Sequence, residues 1–149
     1  MKIRIEIDDS ISETEVVIRC RELDGNTAKI QQAVSDLSQT ANITFYKNHV
    51  EYYLPLEKVL FFETGESVIN AHTANDIFTI KNKLYELENI LPNSFVRVSK
   101  STILNIKHIY SIERNLTSAS IVQFSGTHKQ VYVSRSYYKS LKQRLDERR

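Results

Sequence analysis

From Asn42 onwards, apolar and polar residues alternate in short runs that turn-forming residues separate. This period of two predicts half-buried β-strands, because successive side chains of a strand point to opposite faces. Turn-forming residues stand at Lys47-Asn48, Gly65 and Ser125-Gly126. We therefore expect a mainly β chain, with strands at about 43–46, 49–54, 58–63, 67–72, 76–80, within 95–110, and at 108–114, 119–124 and 129–133.

Two stretches depart from this alternation and predict helices. In KLYELENILP the apolar residues recur at helical spacing, and Pro92 ends the run. The apolar stripe of this helix consists of Ile80, Leu84, Leu87 and Leu91. A closing helix begins at about Ser136, with an apolar stripe formed by Tyr137, Leu141 and Leu145. The predicted fold class is therefore mainly β with short helices, an α+β arrangement.

The first 41 residues predict a separate small unit. Strict alternation at 2–8, and again at 15–21, predicts two strands, and a helix follows from about Asn26 to Ala41 with Asn26 or Thr27 as its N-cap. A β-β-α unit of this size is too small to maintain a core alone. We therefore expect residues 1–41 to be a dimerisation or regulatory element, followed by a second domain at residues 42–149.

Several classes of protein do not fit this composition. The longest apolar run, Val59 to Phe62, is far shorter than the roughly 20 residues of a membrane span, and the N-terminus lacks the apolar region of a secretory leader. We therefore expect a cytoplasmic protein. Cys20 is the single cysteine, which leaves no internal disulfide, and we expect it to be a small core residue.

Motifs for catalysis and metal binding are also missing from the sequence. Its three glycines form no phosphate-binding loop, and its four histidines match no metal-ligand spacing and are expected at the surface or in turns. We therefore expect a protein that is not an enzyme and has no cofactor, no metal and no small-molecule substrate.

Charge is distributed unevenly along the chain. Residues 1–40 hold five Lys/Arg and eight Asp/Glu, a net charge of −3, whereas residues 41–149 have a net charge of +5. Residues 93–145 contain a single acid, Glu113, against nine cations, namely Arg97, Lys100, Lys107, Arg114, Lys129, Arg135, Lys139, Lys142 and Arg144. Such a segment favours a polyanionic partner, although a solvated cationic face would have the same composition.

Two stretches place cations where an external anion would stabilise them. FVRVSKSTILNIKHIY carries Arg97, Lys100 and Lys107 among hydroxyls with no carboxylate nearby in sequence, although the Arg97 stem has the alternative of packing against the core. In VSRS, Arg135 stands between Ser134 and Ser136 where the last strand gives way to the last helix. A cation is unfavourable at a helix N-terminus unless an anion binds there. The alternative is that a serine caps the helix while Arg135 extends into solvent.

The order of these motifs resembles a known family. Val59-Leu60-Phe61-Phe62-Glu63, the helix KLYELENILP, F-x-R-x-x-K-S with Asn105 and Ile109 downstream, and V-S-R before the closing helix are similar to the LytTR DNA-binding domain of bacterial transcription regulators. The resemblance covers about residues 43–145. It implies an elongated, mainly β fold whose loops enter successive major grooves, commonly at paired direct repeats. By position, it places contacts at Ser67, at Lys100 and Ser101, and at Arg135.

Two departures from the family qualify this interpretation. Many relatives have histidine at the position of Ser99, and some have it near Ser67, so the bases read by this chain are expected to differ. The 41 preceding residues are too few for the receiver domain that often accompanies this family. Stand-alone relatives are often found with a restraining membrane protein, so the resemblance implies a homodimer or a membrane-bound inhibitory protein as a partner of residues 1–41.

The sequence therefore predicts a sequence-specific regulator of transcription that binds double-stranded DNA. One alternative is a protein-interaction module whose basic face binds an acidic partner, and another is an RNA-binding β domain. The predicted DNA-binding residues are Ser67, Arg97, Ser99, Lys100, Ser101, Lys107, Arg135, Ser136 and Lys139.

Overall fold

The structure is a computed structural model that describes residues 1–12, 14–38 and 42–148. The chain divides into two compact units, residues 1–38 and residues 39–149. No helix within the described ranges is both long enough and apolar enough to cross a membrane.

The smaller unit contains one helix, α1 (Gly25–Ser38). Its N-cap is Asp24 rather than the expected Asn26 or Thr27, because the Asp24 carboxylate accepts hydrogen bonds from the backbone N–H and the hydroxyl of Thr27, at 2.8 and 2.9 Å. These bonds stabilise the ionised carboxylate and lower the pKa of Asp24. The predicted end of the helix at Ala41 lies outside the described residues.

The two strands predicted in this unit are absent from residues 1–12 and 14–24 as the structure describes them. The alternation is present in the sequence, but a strand also requires a neighbouring backbone to complete its hydrogen bonds, and no such ladder forms here. The expectation that Cys20 is a core residue is wrong for the same reason, since its side chain is exposed.

The larger unit is rich in strands, which confirms the predicted class. Two 3₁₀ helices, Leu56–Lys58 and Ile106–His108, connect some of its elements. Over residues 42–148 the strands and helices are β1 (Phe45–Lys47), β2 (Val50–Tyr52), β3 (Phe61–Thr64), β4 (Ile69–His72), β5 (Ile77–Ile80), α2 (Leu84–Ile90), β6 (Phe95–Arg97), β7 (Thr102–Asn105), β8 (Ile109–Glu113), β9 (Ser120–Phe124), β10 (Gln130–Val133) and α3 (Arg135–Arg148).

The strands form two antiparallel sheets. Seven strands follow the order β2-β1-β5-β4-β3-β7-β6, and three follow β10-β9-β8. The hairpin turn between β1 and β2 lies at Asn48 and His49, both with positive φ, one residue later than expected. Ile80 belongs to β5 rather than to the α2 stripe, because it pairs with Ile69 of β4.

Strand alternation produces two cores in this unit. Phe62 and Ile103, paired across β3 and β7, contribute to a core shared with Leu87 of α2. Their neighbours Phe61 and Leu104 contribute to a second core with residues of the three-stranded sheet and α3, including Val122, Val133 and Leu141. Burial on both sides fixes β3 and β7, and the loops at one end of these strands are held on that rigid support.

Candidate nucleic-acid interface

Three loops meet at one end of the larger unit, where backbone hydrogen bonds join them. The N–H of Thr64, at the end of β3, donates to the Ser101 carbonyl at 2.9 Å. The N–H of Ser134, just after β10, donates to the Val98 carbonyl, also at 2.9 Å. We call residues 65–68, 98–101 and 134–136 the three-loop surface. Backbone bonds of this kind fix the spacing of the loops independently of their side chains.

The first loop is a tight turn that exposes Ser67. The N–H of Gly65 donates to the Val68 carbonyl at 2.8 Å, which closes the turn. A Cβ at Gly65 would lie 2.8 Å from Nδ2 of Asn70 and 3.1 Å from the Val68 carbonyl oxygen, so a larger residue would push the Asn70 side chain aside and crowd the Val68 carbonyl. Glycine therefore allows this close turn, in which Ser67 is exposed.

The middle loop is closed by the N–H of Val98, which donates to the Thr102 carbonyl at 3.0 Å. Within the loop, the Ser99 hydroxyl oxygen accepts from the Ser101 N–H at 3.2 Å and lies 3.3 Å from the Ser101 hydroxyl. Lys100 projects between these serines and is exposed. The loop therefore presents two neighbouring hydroxyls beside one ammonium group.

Arg97 holds the middle loop from behind. Its Nε donates to the Ser99 carbonyl at 2.8 Å, and its two terminal nitrogens contact the Lys100 carbonyl and the Glu88 carboxylate of α2. The expectation that Arg97 lacks an acidic partner is therefore wrong, because Glu88 lies nine residues away in sequence but adjacent in space. Three of its five guanidinium N–H groups already have acceptors within the protein, which makes Arg97 a positioning residue.

The third loop is the junction of β10 and α3, and Arg135 is the first helical residue. The Ser134 carbonyl accepts from the N–H groups of Tyr137 and Tyr138, at 3.0 and 3.1 Å, while the Ser134 and Ser136 hydroxyls lie 3.2 Å apart. Lys139 follows one helical turn after Arg135, and both are exposed. The first turn of α3 contains no acidic residue. This helix N-terminus can therefore accept an anion.

The cations Lys100 and Arg135 of the three-loop surface, and Lys139 one turn further along α3, differ from Lys142 in their partners. Over the described ranges, the side chains of Lys100, Arg135 and Lys139 form no ion pair, whereas Lys142 pairs with Asp146 at 2.7 Å. Unpaired positive charges beside hydroxyls and a helix N-terminus form a favourable site for phosphate oxygens or for acceptors on base edges.

Lys107 is not brought to the other predicted site residues. It lies in the 3₁₀ helix after β7, and its N–H donates to the Asn105 side chain at 3.1 Å. The Asn105 amide in turn donates to the Val59 carbonyl at 3.1 Å, which makes it the structural turn residue that anchors this end. Strand β7 extends roughly 10 Å, three residue steps of about 3.4 Å each, with the middle loop at one end and the 3₁₀ helix of Lys107 at the other.

At the end of β4 farthest from the first loop, a buried histidine lies between the seven-stranded sheet and the segment before β10, contrary to the expectation of a surface position. His72 of β4 stacks on Phe61 with ring centroids 4.2 Å apart. Its Nε2 lies 2.8 Å from the Glu63 carboxylate, and its Nδ1 lies 3.3 Å from Nζ of Lys129, just before β10. Lys129 also donates to the Asp76 carbonyl at 3.0 Å. Because an ammonium group can only donate, Nδ1 is the acceptor and the proton resides on Nε2.

The pKa of His72 is lowered from its ordinary value. Burial is the largest cause, Glu63 opposes it, and the charge of Lys129 reinforces it. The imidazole is therefore neutral at neutral pH and links Glu63 of β3 to Lys129 in the segment before β10. Across the described part of the chain, no group of histidine, cysteine and acidic side chains could hold a metal ion.

Sequence patterns alone could not identify Glu88, Thr64 and His72, because each acts through a partner distant along the chain. One signal was available for Glu88: an arginine next to apolar Phe95 and Val96 on a half-buried strand requires an acceptor for its charge.

Comparison with known proteins gives a consistent result. Residues 49–146 match the family described as the LytTr DNA-binding domain. The chain is similar to an HTH-type transcriptional regulator of Staphylococcus aureus strain NCTC 8325, at 30% identity over 145 residues, which covers 97% of this chain and 98% of that relative. A relative from the bovine strain RF122 is 31% identical over 147 residues, with the same shares covered.

The fold is likewise similar to a solved LytTr DNA-binding domain from Bacillus cereus. The TM-score is 0.65 at 26% identity, and the match covers 71% of this chain and 98% of that domain. These matches confirm the resemblance seen in the ordered motifs. The chain belongs to the LytTr DNA-binding domain family, with the family's domain at residues 49–146.

Proposed function

We propose that this protein regulates transcription by binding a specific double-stranded DNA sequence, and that the three-loop surface inserts into the major groove. The observation that carries the proposal is the tethering of all three loops to one another through the Val98 and Ser101 carbonyls. Tethered loops present Lys100 and Arg135 at a fixed spacing, which base reading requires because a bidentate contact tolerates little displacement.

The arrangement of helices supports loops over a recognition helix as the reading element. In residues 42–148, five strands, β6 to β10, intervene between α2 and α3, so the two helices do not form a helix–turn–helix unit. Helix α3 contributes its N-terminus, where Arg135 stands, and its apolar residue Leu141 is buried in the second core. We propose that α3 approaches DNA with its first turn only, while Lys139 contacts a phosphate.

Each predicted residue has a distinct role in this proposal. Lys100 and Arg135 reach base edges, while the hydroxyls of Ser67, Ser99, Ser101 and Ser136 contact bases or phosphates at closer range. Arg97 holds the middle loop, and Lys107 lies outside the contact surface. By analogy with the family, two copies of the domain bind paired direct repeats, one domain to each repeat.

Selection from a random duplex library tests the proposal. The purified full-length chain should enrich one motif, present as two repeats in the same orientation. Gly65→Val serves as a matched variant, since its branched side chain crowds the Val68 carbonyl in the first turn and should reduce enrichment while the unit still unfolds cooperatively. Failure of the native chain to enrich any sequence at low salt, together with tight binding to an acidic protein surface, would overturn the proposal in favour of a protein-interaction module.

A further inference from the structure

Residues 1–23 expose apolar side chains that the chain itself does not cover. Ile3, Ile5 and Ile7 are 84%, 86% and 95% exposed. Val16, Val17 and Leu23 are also exposed. As described above, the backbone of residues 1–12 and 14–24 forms no ladder. An alternating apolar segment with free backbone groups is a template for pairing with another strand.

The charges of residues 2–8 indicate which strand pairs with this segment. The sequence KIRIEID carries its cations first, at Lys2 and Arg4, and its acids last, at Glu6 and Asp8. These four side chains occupy one face of the alternation, and the ion pair between Arg4 and Glu6, at 2.8 Å, confirms that those two project to the same side. The isoleucines occupy the opposite face.

This pattern is complementary to itself in one antiparallel register. When two copies pair about a twofold axis through Ile5, Lys2 lies opposite Asp8 and Arg4 lies opposite Glu6, while Ile3 lies opposite Ile7 and Ile5 opposite itself. Every directly opposed pair is then either oppositely charged or apolar on both sides, which are favourable cross-strand combinations. A parallel pairing in the same register would place each charge opposite an identical one.

We propose that residues 2–8 form an intermolecular antiparallel β-ribbon with a second copy of this chain, centred on Ile5. Such an interface is isologous, because the same surface serves both subunits. The inference concerns self-association and does not depend on the proposed DNA contacts. It extends the proposed function, since a dimer formed by residues 2–8 supplies the two DNA-binding domains that paired repeats require.

Cysteine cross-linking of the full chain tests the register. In a Cys20→Ser background, Ile5→Cys should form a disulfide-linked dimer under mild oxidation, because directly opposed residues have Cα atoms about 4.5–5.5 Å apart, a separation that a disulfide spans. Ile3→Cys is the matched control: its two copies lie four residues out of register, roughly 14 Å apart, so it should cross-link only when mixed with Ile7→Cys. Self-cross-linking of Ile3→Cys, or none by Ile5→Cys, would overturn the proposed register.

Exchanging the charges of residues 2–8 tests whether the partner is a second copy of this chain. Lys2→Glu with Arg4→Glu makes the charged face wholly acidic, and Glu6→Lys with Asp8→Lys makes it wholly basic. Each variant alone should dimerise at least about ten-fold more weakly than the native chain, while an equimolar mixture should recover native affinity through heterodimers. Sedimentation velocity without DNA measures this directly. If neither variant weakens association, or if the mixture recovers nothing, the segment pairs within its own chain or with a different protein.

DNA binding is measured separately on the same variants. All of them should retain native affinity for a single repeat, because residues 2–8 lie outside the three-loop surface. Failure of the dimer proposal is therefore distinguishable from failure of the DNA-binding proposal.

Discussion

Lys100 and Arg135 place a point charge and a planar guanidinium on neighbouring loops, and we propose that these two groups read DNA differently. A guanidinium can donate two parallel hydrogen bonds to guanine O6 and N7, whereas an ammonium reaches the same atoms without a fixed plane. Arg135→Ala and Lys100→Ala should each cost about 1–3 kcal/mol on the selected duplex and narrow its advantage over a scrambled duplex. Titration of both duplexes by fluorescence anisotropy measures the two affinities.

Lys139→Ala provides the contrast, because we expect a phosphate contact at that position. It should weaken both duplexes alike and reduce the slope of log K against log salt by about 0.9, the value for one lost phosphate contact. Lys107→Ala is a matched control away from the three-loop surface and should leave both affinities unchanged.

Equal losses of affinity on the selected and scrambled duplexes for Arg135→Ala and Lys100→Ala would reassign base reading to Ser67, Ser99 and Ser101.

We expect Arg97 to act by holding the middle loop in place. Its substitution should therefore reduce the preference for the selected duplex without reducing the electrostatic part of DNA binding. Arg97→Lys keeps the positive charge but cannot reach two carbonyls and Glu88 in one plane. We expect weaker binding to the selected duplex, with binding to the scrambled duplex and the salt slope both retained.

Glu88→Gln tests the same arrangement from the helix side. Glu88 is partly exposed, so loss of the ion pair should lower the free energy of unfolding by at most about 1 kcal/mol. An Arg97→Lys variant whose affinity for both duplexes falls equally, with a reduced salt slope, would show that Arg97 contacts phosphate directly.

At the scale of elements, His72 joins a seven-stranded sheet to the segment preceding β10, and this link depends on pH. Burial lowers the pKa of His72 in the folded state. Below about pH 6.5 the histidine of the unfolded chain takes up a proton before the folded one does, so the free energy of unfolding falls as pH decreases. The loss continues until the pH reaches the lower pKa of the folded state.

His72→Gln should remove this pH dependence. The glutamine amide can donate to Glu63 and accept from Lys129, as the neutral imidazole does, but it does not titrate. Between pH 7.5 and 5 the native chain should lose more stability than the variant, by up to about 1.4 kcal/mol per pH unit at the steepest point. Urea denaturation at each pH provides the measurement, and parallel curves for the two proteins would contradict the assignment.

At the scale of the whole molecule, we propose that the two units have separable tasks. The family match at residues 49–146 lies within the larger unit, so we expect this unit to fold and bind DNA without residues 1–38. Deletion of residues 1–38 should preserve affinity for one repeat and abolish the additional affinity for two repeats on one duplex. A truncated protein that sediments as the native chain does, and binds paired repeats as tightly, would contradict this division.

Local patterns predicted more of the larger unit than of the smaller one. Alternation located the β1–β2 hairpin and the β9–β10 hairpin, because neighbours along the chain supply each other's hydrogen bonds. The same alternation at residues 2–8 predicted a strand that the single chain does not form. Periodicity shows which side chains share one face of a strand, but it does not show which neighbouring strand supplies the hydrogen bonds.

The candidate site was predictable only in part. Lys100 and Arg135 were evident as cations without acidic neighbours in sequence. Their arrangement depends on pairs that are distant in sequence, such as Thr64 with Ser101 and Ser134 with Val98, and no local pattern specifies these. Long-range pairing also explains why Arg97 was predicted to have no carboxylate partner although it contacts Glu88.

Methylation interference on the selected duplex tests the central claim most directly, because it reports which groove the three-loop surface enters. Methyl groups on guanine N7 lie in the major groove, and those on adenine N3 lie in the minor groove. We predict that N7 methylation at specific guanines blocks binding of the native chain, and that Arg135→Ala loses sensitivity at one of them. Interference confined to adenine N3, or a guanine pattern unchanged in both Arg135→Ala and Lys100→Ala, would contradict major-groove reading by these loops.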